Sequence, residues 1–248
     1  MRSGSGAPIE FAAAEATRDY EATIFRQGRV PTRPGSWHDL FNALAWLSFP
    51  RTKATINRLH HEEMARRPGA RERGTARDVL TLFDEGGVIV GCAEPSLGGL
   101  LAGFRWKDLF WSRRDDVARA MRFAVFGHAI HEKALAPYKG VTAKALVVPV
   151  SAALLAQPAE ALLEFLDDGA AAYFAAPGAL SSTRTLHPLP ILGIPGWTPE
   201  NDDPAFYDDA SVFRPARAGI IRAEAGQTVA GGTQPSEESP GSAGQGAG

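Results

Sequence analysis

The sequence predicts an α+β fold: a helix-dominated single domain with a β-hairpin or small sheet and an irregular C-terminal strap rich in proline and glycine. Three patterns carry that expectation. Apolar residues recur at helical spacing through 37–48 and 158–176, the second with Leu162, Leu163, Phe165 and Leu166 as its apolar contribution. β-Forming residues crowd two stretches, 78–92 and 141–150. The segment Leu189-Pro190-Ile191-Leu192-Gly193-Ile194-Pro195-Gly196-Trp197 holds too many helix breakers for a helix and is too apolar for a free linker.

Taken in order, residues 1–8 read as a flexible terminus and Ile9 to about Arg26 as a helix by composition. Arg29-Val30-Pro31-Thr32-Arg33-Pro34-Gly35 ends it as an extended approach. Ser36 fits an N-cap, and Asp39 falls at N3, where a carboxylate favours the positive helix end. A helix from Trp37 to about Ser48 follows, and Pro50 opens a second that Pro68-Gly69 stops, the two forming a helical corner. Asp78 to Asp84 reads as a strand, Glu85-Gly86-Gly87 as a tight turn and Val88 to Cys92 as the partner strand. Leu97–Trp111 and Asp115–Pro137 are expected to be helical, Val141–Val150 a strand, and Leu186–Arg217 the strap. The globular part thus spans 9–217. Residues 218–248, whose Gly, Ser and Pro content offers little apolar surface, are expected to be a disordered tail.

With 248 residues, 44% hydrophobic and 22% charged, the chain has the composition of a soluble globular protein able to bury a full core. The longest apolar run, Ala145 to Ala156, is broken by Pro149 and Ser151 and is shorter than the roughly 18 residues a membrane span requires. No apolar leader follows Met1-Arg2-Ser3, and a lone cysteine, Cys92, excludes an internal disulfide and multi-cysteine zinc modules. A reducing, cytoplasmic setting is expected. Charge is uneven: residues 51–77 carry eight basic side chains against three acidic ones, and 157–209 carry nine acidic against Arg184 alone. Nucleic acid is a conceivable partner for the basic stretch, but two opposite segments that face each other or are solvated explain the pattern more simply.

Five blocks stand out together: Trp37-His38-Asp39-Leu40-Phe41-Asn42, Phe49-Pro50-Arg51-Thr52-Lys53, Asp78 to Gly87, Phe126-Gly127-His128-Ala129 through Glu132-Lys133, and Gly193-Ile194-Pro195-Gly196-Trp197. In this combination the chain is similar, over Arg33 to Pro215, to the bacterial family known as domain of unknown function 3025. That resemblance implies no activity, cofactor or catalytic residue.

The chemistry must therefore be read from the residues. His38 and Asn42 stand one turn apart on the first helix, and Lys53 and Asn57 repeat the spacing on the second. Meeting at the corner, the four would line one pocket, with His38 as proton shuttle, Lys53 as anion clamp and the asparagines as orienters; a buried hydrogen-bond network is the competing explanation. His128 and Glu132 are one turn apart and make half a metal site. Their order, H-x-x-H-E, matches no zinc-protease motif, and a carboxylate that orients a histidine or pairs with an arginine accounts for the pair more simply. Asp84 and Glu85 are acids able to hold a cation or to act as acid and base, although a tight turn explains them as well. Trp37 and Trp197 are expected as core anchors and Cys92 as packing.

The candidate catalytic residues are His38, Asp39, Lys53, His128 and Glu132, and the candidate ligand contacts are Asn42, Asn57, Asp84 and Trp197; no metal or cofactor is assigned. His38 and His128, ninety positions apart, are expected to approach one cavity with Asn42, Lys53 and Glu132 on its wall. Two classes of function fit. One is an enzyme, hydrolytic or acting on an anionic small molecule. The other is a noncatalytic binding or scaffold protein that contacts nucleic acid or an acidic partner through the basic segment.

Overall fold

A computed structural model describes residues 1–14, 19–66 and 74–216. The chain begins with a short parallel pair, β1 (Glu10–Ala13) and β2 (Arg29–Thr32), with Glu10 opposite Arg29 and α1 (Tyr20–Gln27) between them. The expected helix from Ile9 is therefore only its second half. Ile9 and Phe11 pack against Ile24, Val30 and Trp46, and strand pairing to β2 overrides the helix-forming composition. Gly28 ends α1 with φ 70°, a left-handed cap that glycine adopts without strain. Residues 1–8, read as a flexible terminus, make ordered contacts: Ser3 is buried, and its Oγ donates to the Phe25 carbonyl at 2.9 Å.

The helical corner forms as its caps predict. α2 (Trp37–Ser48) starts on Ser36, whose Oγ accepts from the Asp39 amide at 3.2 Å. After the buried Phe49, α3 (Pro50–Arg66) opens with proline where no backbone donor is needed. Its first amides are capped from afar. Asp167 on α9 (Ala159–Ala175), the helix after the single turn α8 (Ala152–Leu155), accepts from Arg51 N at 2.9 Å and Thr52 N at 2.8 Å, seating the positive end of α3 on a buried carboxylate.

The main sheet has strand order β4 (Met121–Val125), β3 (Gly87–Cys92), β5 (Thr142–Pro149), β6 (His187–Pro190), with β3 parallel to β5 and the outer pairs antiparallel. Alternate residues feed opposite faces. Val88, Val90, Ala143 and Ala145 join one core with α5 (Pro95–Ala102), α6 (Arg114–Ala120) and the C-terminal strap. Ile89, Leu146 and Val148 join the other with α3, α9 and α4 (Thr75–Gly86).

That last helix corrects the expected hairpin. Residues 78–84 are not a strand but the body of α4, where Val79, Leu80 and Phe83 fall on one face and are fully buried. The β-propensity of Val79, Thr81 and Phe83 gave way to that packing. β3 pairs instead with β4, which interrupts the helix expected over 115–137: after α6, Arg122-Phe123-Ala124-Val125 runs extended, and α7 (His128–Lys133) resumes the helix. The helix expected over 97–111 is likewise broken at Phe104, with φ 58°, and continues as a π-helical turn over Asp108–Ser112.

The strap over 186–216 is irregular apart from β6 and short 3₁₀ turns, as its prolines and glycines require. Asn201, fully buried, ties it by donating to the carbonyls of Leu192 and Ile194 at 2.9 and 2.7 Å. Trp37 and Trp197 are not core anchors: they are 56% and 40% exposed, while Trp46 and Trp106 are the buried pair. The cause at α2 is rotation of the helix. Asn42, Ala43 and Trp46 face inward, which turns Trp37, Leu40, Leu44 and Leu47 outward. Met1–Pro215 form one compact unit, the expected tail at 218–248 lies outside the described residues, and no helix among the described residues is long and apolar enough to cross a membrane.

Candidate functional site

Three helix ends meet at one point: the start of α2, which carries His38, the end of α4, which carries Asp84 and Glu85, and the start of α7, which carries His128. Two glycines allow it. Gly127 N donates to Gly87 O at 2.8 Å, and a Cβ on Gly127 would lie 2.5 Å from both the Glu85 carbonyl oxygen and the Gly87 nitrogen. A Cβ on Gly87 would in turn lie 2.5 Å from the Phe83 carbonyl. Only glycine at both positions lets α7 begin against the last turn of α4, which sets His128 over the two acids.

The outer layer of the site is made of imidazoles and carboxylates. His38 Nε2 and His128 Nε2 approach to 3.0 Å, their rings edge to face. Glu85 Oε2 lies 3.5 Å from His128 Nε2, and one ligand-type atom from each of His38, Glu85 and His128 falls within 4.8 Å of the others. The far nitrogen of His38, Nδ1, meets Glu132 Oε2 at 3.0 Å. His128 Nδ1 is buried with no hydrogen-bond partner among the described residues and looks across 3.9 Å to Asp84 Oδ2. His128 is almost wholly enclosed, whereas the His38 and Glu85 side chains are 35% and 45% exposed, so solvent reaches the junction from their side. Contact with His128 holds the Glu85 carboxyl below the usual carboxylate range, against a smaller opposing effect of burial.

An inner layer lies beneath. Lys53 Nζ donates to Asp84 Oδ1 at 2.6 Å and to Asn42 Oδ1 at 2.8 Å, between the rings of Trp46 and Phe126. Asn42 Nδ2 passes the chain on to the Tyr20 hydroxyl at 2.9 Å. Burial alone would raise the Asp84 carboxyl; the Lys53 ammonium, and then His128, outweigh it and keep the acid ionised. Tyr20 is 39% exposed overall, yet its hydroxyl end is enclosed, and burial, then Glu21 and Asp84, push the phenol well above its ordinary value. Beside this chain Asn57 Nδ2 donates to Glu21 Oε2 at 2.7 Å, and burial pushes the Glu21 carboxyl up to about 7.

Of the residues singled out in the sequence, His38, Asn42, Lys53, Asp84, His128 and Glu132 are brought together. The geometry changes several roles. Lys53, only 6% exposed at its side chain, is an internal counter-ion rather than a clamp at the surface. Glu132 does not join His128 as a second ligand, because its carboxylate turns to His38. Asp39 faces away: it takes Arg33 N, Nε and Nη2 at 2.7 to 2.8 Å, and that arginine holds its carboxyl at about 2. Asn57 is committed to Glu21. Trp197 lines a separate cavity of about 210 Å³ with Val125, Ile130, His131 and Leu192.

The profile of a family described as Protein of unknown function (DUF3025) matches residues 9–217. The chain belongs to the DUF3025 family. No curated protein and no solved structure matches it. Within this DUF3025 chain, the residue that sequence reasoning undervalued is Glu85, absorbed there into a turn that does not exist. The available signal was its place next to Asp84, one turn after Leu80 and Thr81 in an unbroken helical pattern. Tyr20, Glu21 and Asp167 had no local signature, since each acts on an element distant in sequence. Arg51 of the basic stretch lies against Glu164 and Asp168 of the acidic one, each at 3.1 Å. Cys92 is buried among apolar residues, and burial raises its thiol.

Proposed function

We propose that this protein is a hydrolytic enzyme whose reacting water is activated where His38, Glu85 and His128 converge. The observation that carries the reading is the 3.0 Å approach of two imidazole nitrogens beside a carboxylate, at a junction open to solvent on one side. Hydrolysis needs a water made nucleophilic and a group to take its proton, and clustered nitrogen and carboxylate acceptors are suited to both. Glu132 would hold the His38 ring by its Nδ1, keeping Nε2 turned to the water. Asp84, kept ionised by Lys53, would stand behind His128 in the same role. Because Lys53 is enclosed, recognition of an anionic substrate would fall to other groups. The single, buried Cys92 accords with a cytoplasmic setting.

The test is a panel of small esters, amides and phosphodiesters offered to the purified chain. Turnover of at least one class is expected, with a drop of roughly 10²-fold or more in His38→Ala and in His128→Ala variants that fold normally. Turnover by neither the natural chain nor the variants would favour a noncatalytic binding protein instead. One observation already speaks for that second reading: the outward stripe of Trp37, Leu40, Leu44 and Leu47 is an apolar face of the kind partners cover.

A further inference from the structure

We infer that His38, Glu85 and His128 form a binding site for a transition-metal dication, zinc in the first instance, with an open coordination position toward solvent. The inference stands on geometry and does not require the hydrolytic reading. Around a tetrahedral zinc, with bonds of about 2.0–2.1 Å to nitrogen and oxygen, neighbouring ligand atoms lie about 3.3 Å apart. Here the two Nε2 atoms are 3.0 Å apart, and Glu85 Oε2 is 3.5 Å from that of His128. These two spacings match edges of such a tetrahedron, and the third, from His38 to Glu85, is within 4.8 Å.

The proton positions point the same way. A histidine whose Nδ1 faces a carboxylate carries its proton there and presents a bare Nε2. His38 meets this condition, with Glu132 at 3.0 Å. The buried Nδ1 of His128 makes no hydrogen bond among the described residues, and the acceptor it faces is Asp84 Oδ2, at 3.9 Å. In that arrangement two nitrogen lone pairs and a carboxylate oxygen face one another with no donor among them. Three acceptors so close together repel unless a cation sits between them. Carboxylate-backed histidines are also how metal-binding imidazoles are ordinarily oriented.

The donor set selects the kind of ion. Two imidazoles and one carboxylate suit zinc and its first-row neighbours, whereas calcium and magnesium prefer all-oxygen surroundings. Three protein ligands rather than four, with His38 and Glu85 partly exposed, leave one position for water, the pattern of a catalytic rather than a structural site. The scaffold is rigid where it must be: the Gly87–Gly127 contact ties α7 to α4, and the Lys53–Asp84 bond fixes the carboxylate behind His128.

The experiment uses the full chain, stripped with chelator and titrated with Zn²⁺ by calorimetry and with Co²⁺ by visible absorption. One Zn²⁺ per chain is expected, and the Co²⁺ adduct should show the intense d–d bands of a tetrahedral site. Glu85→Gln and His38→Ala, both at partly exposed side chains, should fold as the natural chain does and lose that stoichiometric binding. Glu132→Gln should weaken it by roughly 10- to 100-fold. The inference fails if the natural chain takes up no tight equivalent, or if either ligand variant binds Zn²⁺ as the natural chain does. Metal binding without turnover would leave the site standing and remove the hydrolytic reading; turnover by a natural chain that takes up no tight equivalent of Zn²⁺ would do the reverse.

Discussion

Lys53 and Asp84 are matched donor to acceptor, with Asn42 and Tyr20 continuing the chain, whereas His38, His128 and Glu85 directly above them gather two imidazoles and a carboxylate whose donor and acceptor roles depend on where the ring protons sit. The two layers are separated by the 3.9 Å between Asp84 Oδ2 and His128 Nδ1, yet they obey different rules. The inner one is enclosed and saturated, as polar groups must be when water cannot reach them. The outer one is partly open and leaves the buried His128 Nδ1 without a hydrogen-bond partner among the described residues. In a folded protein that condition is most readily explained by something bound, so the inner layer reads as support and the outer as the place where chemistry happens.

Breaking the inner layer should cost the most stability. Lys53→Met leaves a buried carboxylate without its cation, and urea denaturation should show a loss of about 3–5 kcal/mol. The double variant Lys53→Met/Asp84→Leu should recover much of it, since an apolar pair restores compatibility. A loss below about 1 kcal/mol in the single variant would mean that the inner layer does not depend on its ion pair.

Glu21 sharpens the contrast through pH. Its folded-state value is raised from 4.5 to about 7, so the folded chain holds the proton more tightly than the unfolded chain does. Stability should therefore fall as pH rises between about 4.5 and 7 and level off above, by up to about 3 kcal/mol. Glu21→Gln should flatten that slope and stabilise the protein at pH 8, with its amide able to donate to Asn57 Oδ1, a buried acceptor without a hydrogen-bond partner among the described residues. Thermal midpoints measured from pH 4 to 8 for both proteins would decide it, and an unchanged slope in the variant would remove Glu21 as the cause.

Asp167→Asn tests the remote cap of α3. Two amide bonds to a buried charge are replaced by weaker neutral ones, and a loss of about 2 kcal/mol is expected by chemical denaturation. At the far end of the scale, His38→Ala and Trp37→Ala should each change stability by less than about 1 kcal/mol, because one makes a partly exposed hydrogen bond to Glu132 and the other is more than half exposed. A large loss at His38 would show that the outer layer is structural after all.

Much of the fold was legible where a local rule sufficed. Ser36 caps α2, Pro50 opens α3, the run over 141–150 became β5, and 158–176 became α9, each from spacing or capping that involves neighbours in sequence. Where the outcome depended on what the segment packs against, local reading went astray. Val79, Thr81 and Phe83 suit a strand by propensity, Val79, Leu80 and Phe83 a helix by spacing, and the core chose the helix. Phe123 and Val125 looked like part of a long helix until β3 supplied a strand edge to pair with.

The candidate site divides the same way. Residue types and their one-turn spacings, His38 with Asn42, Lys53 with Asn57 and His128 with Glu132, are properties of the sequence, as is membership of a family that those blocks mark. The partners were decided only in three dimensions. Asp39 went to Arg33, Asn57 to Glu21, Glu132 to His38 rather than to its helical neighbour, and Glu85 entered the site because two glycines let α4 and α7 touch. Helical periodicity determines which side chains share a face. Which face turns inward, and whose atoms it meets there, follows from packing between segments far apart in the chain, and no local pattern encodes that.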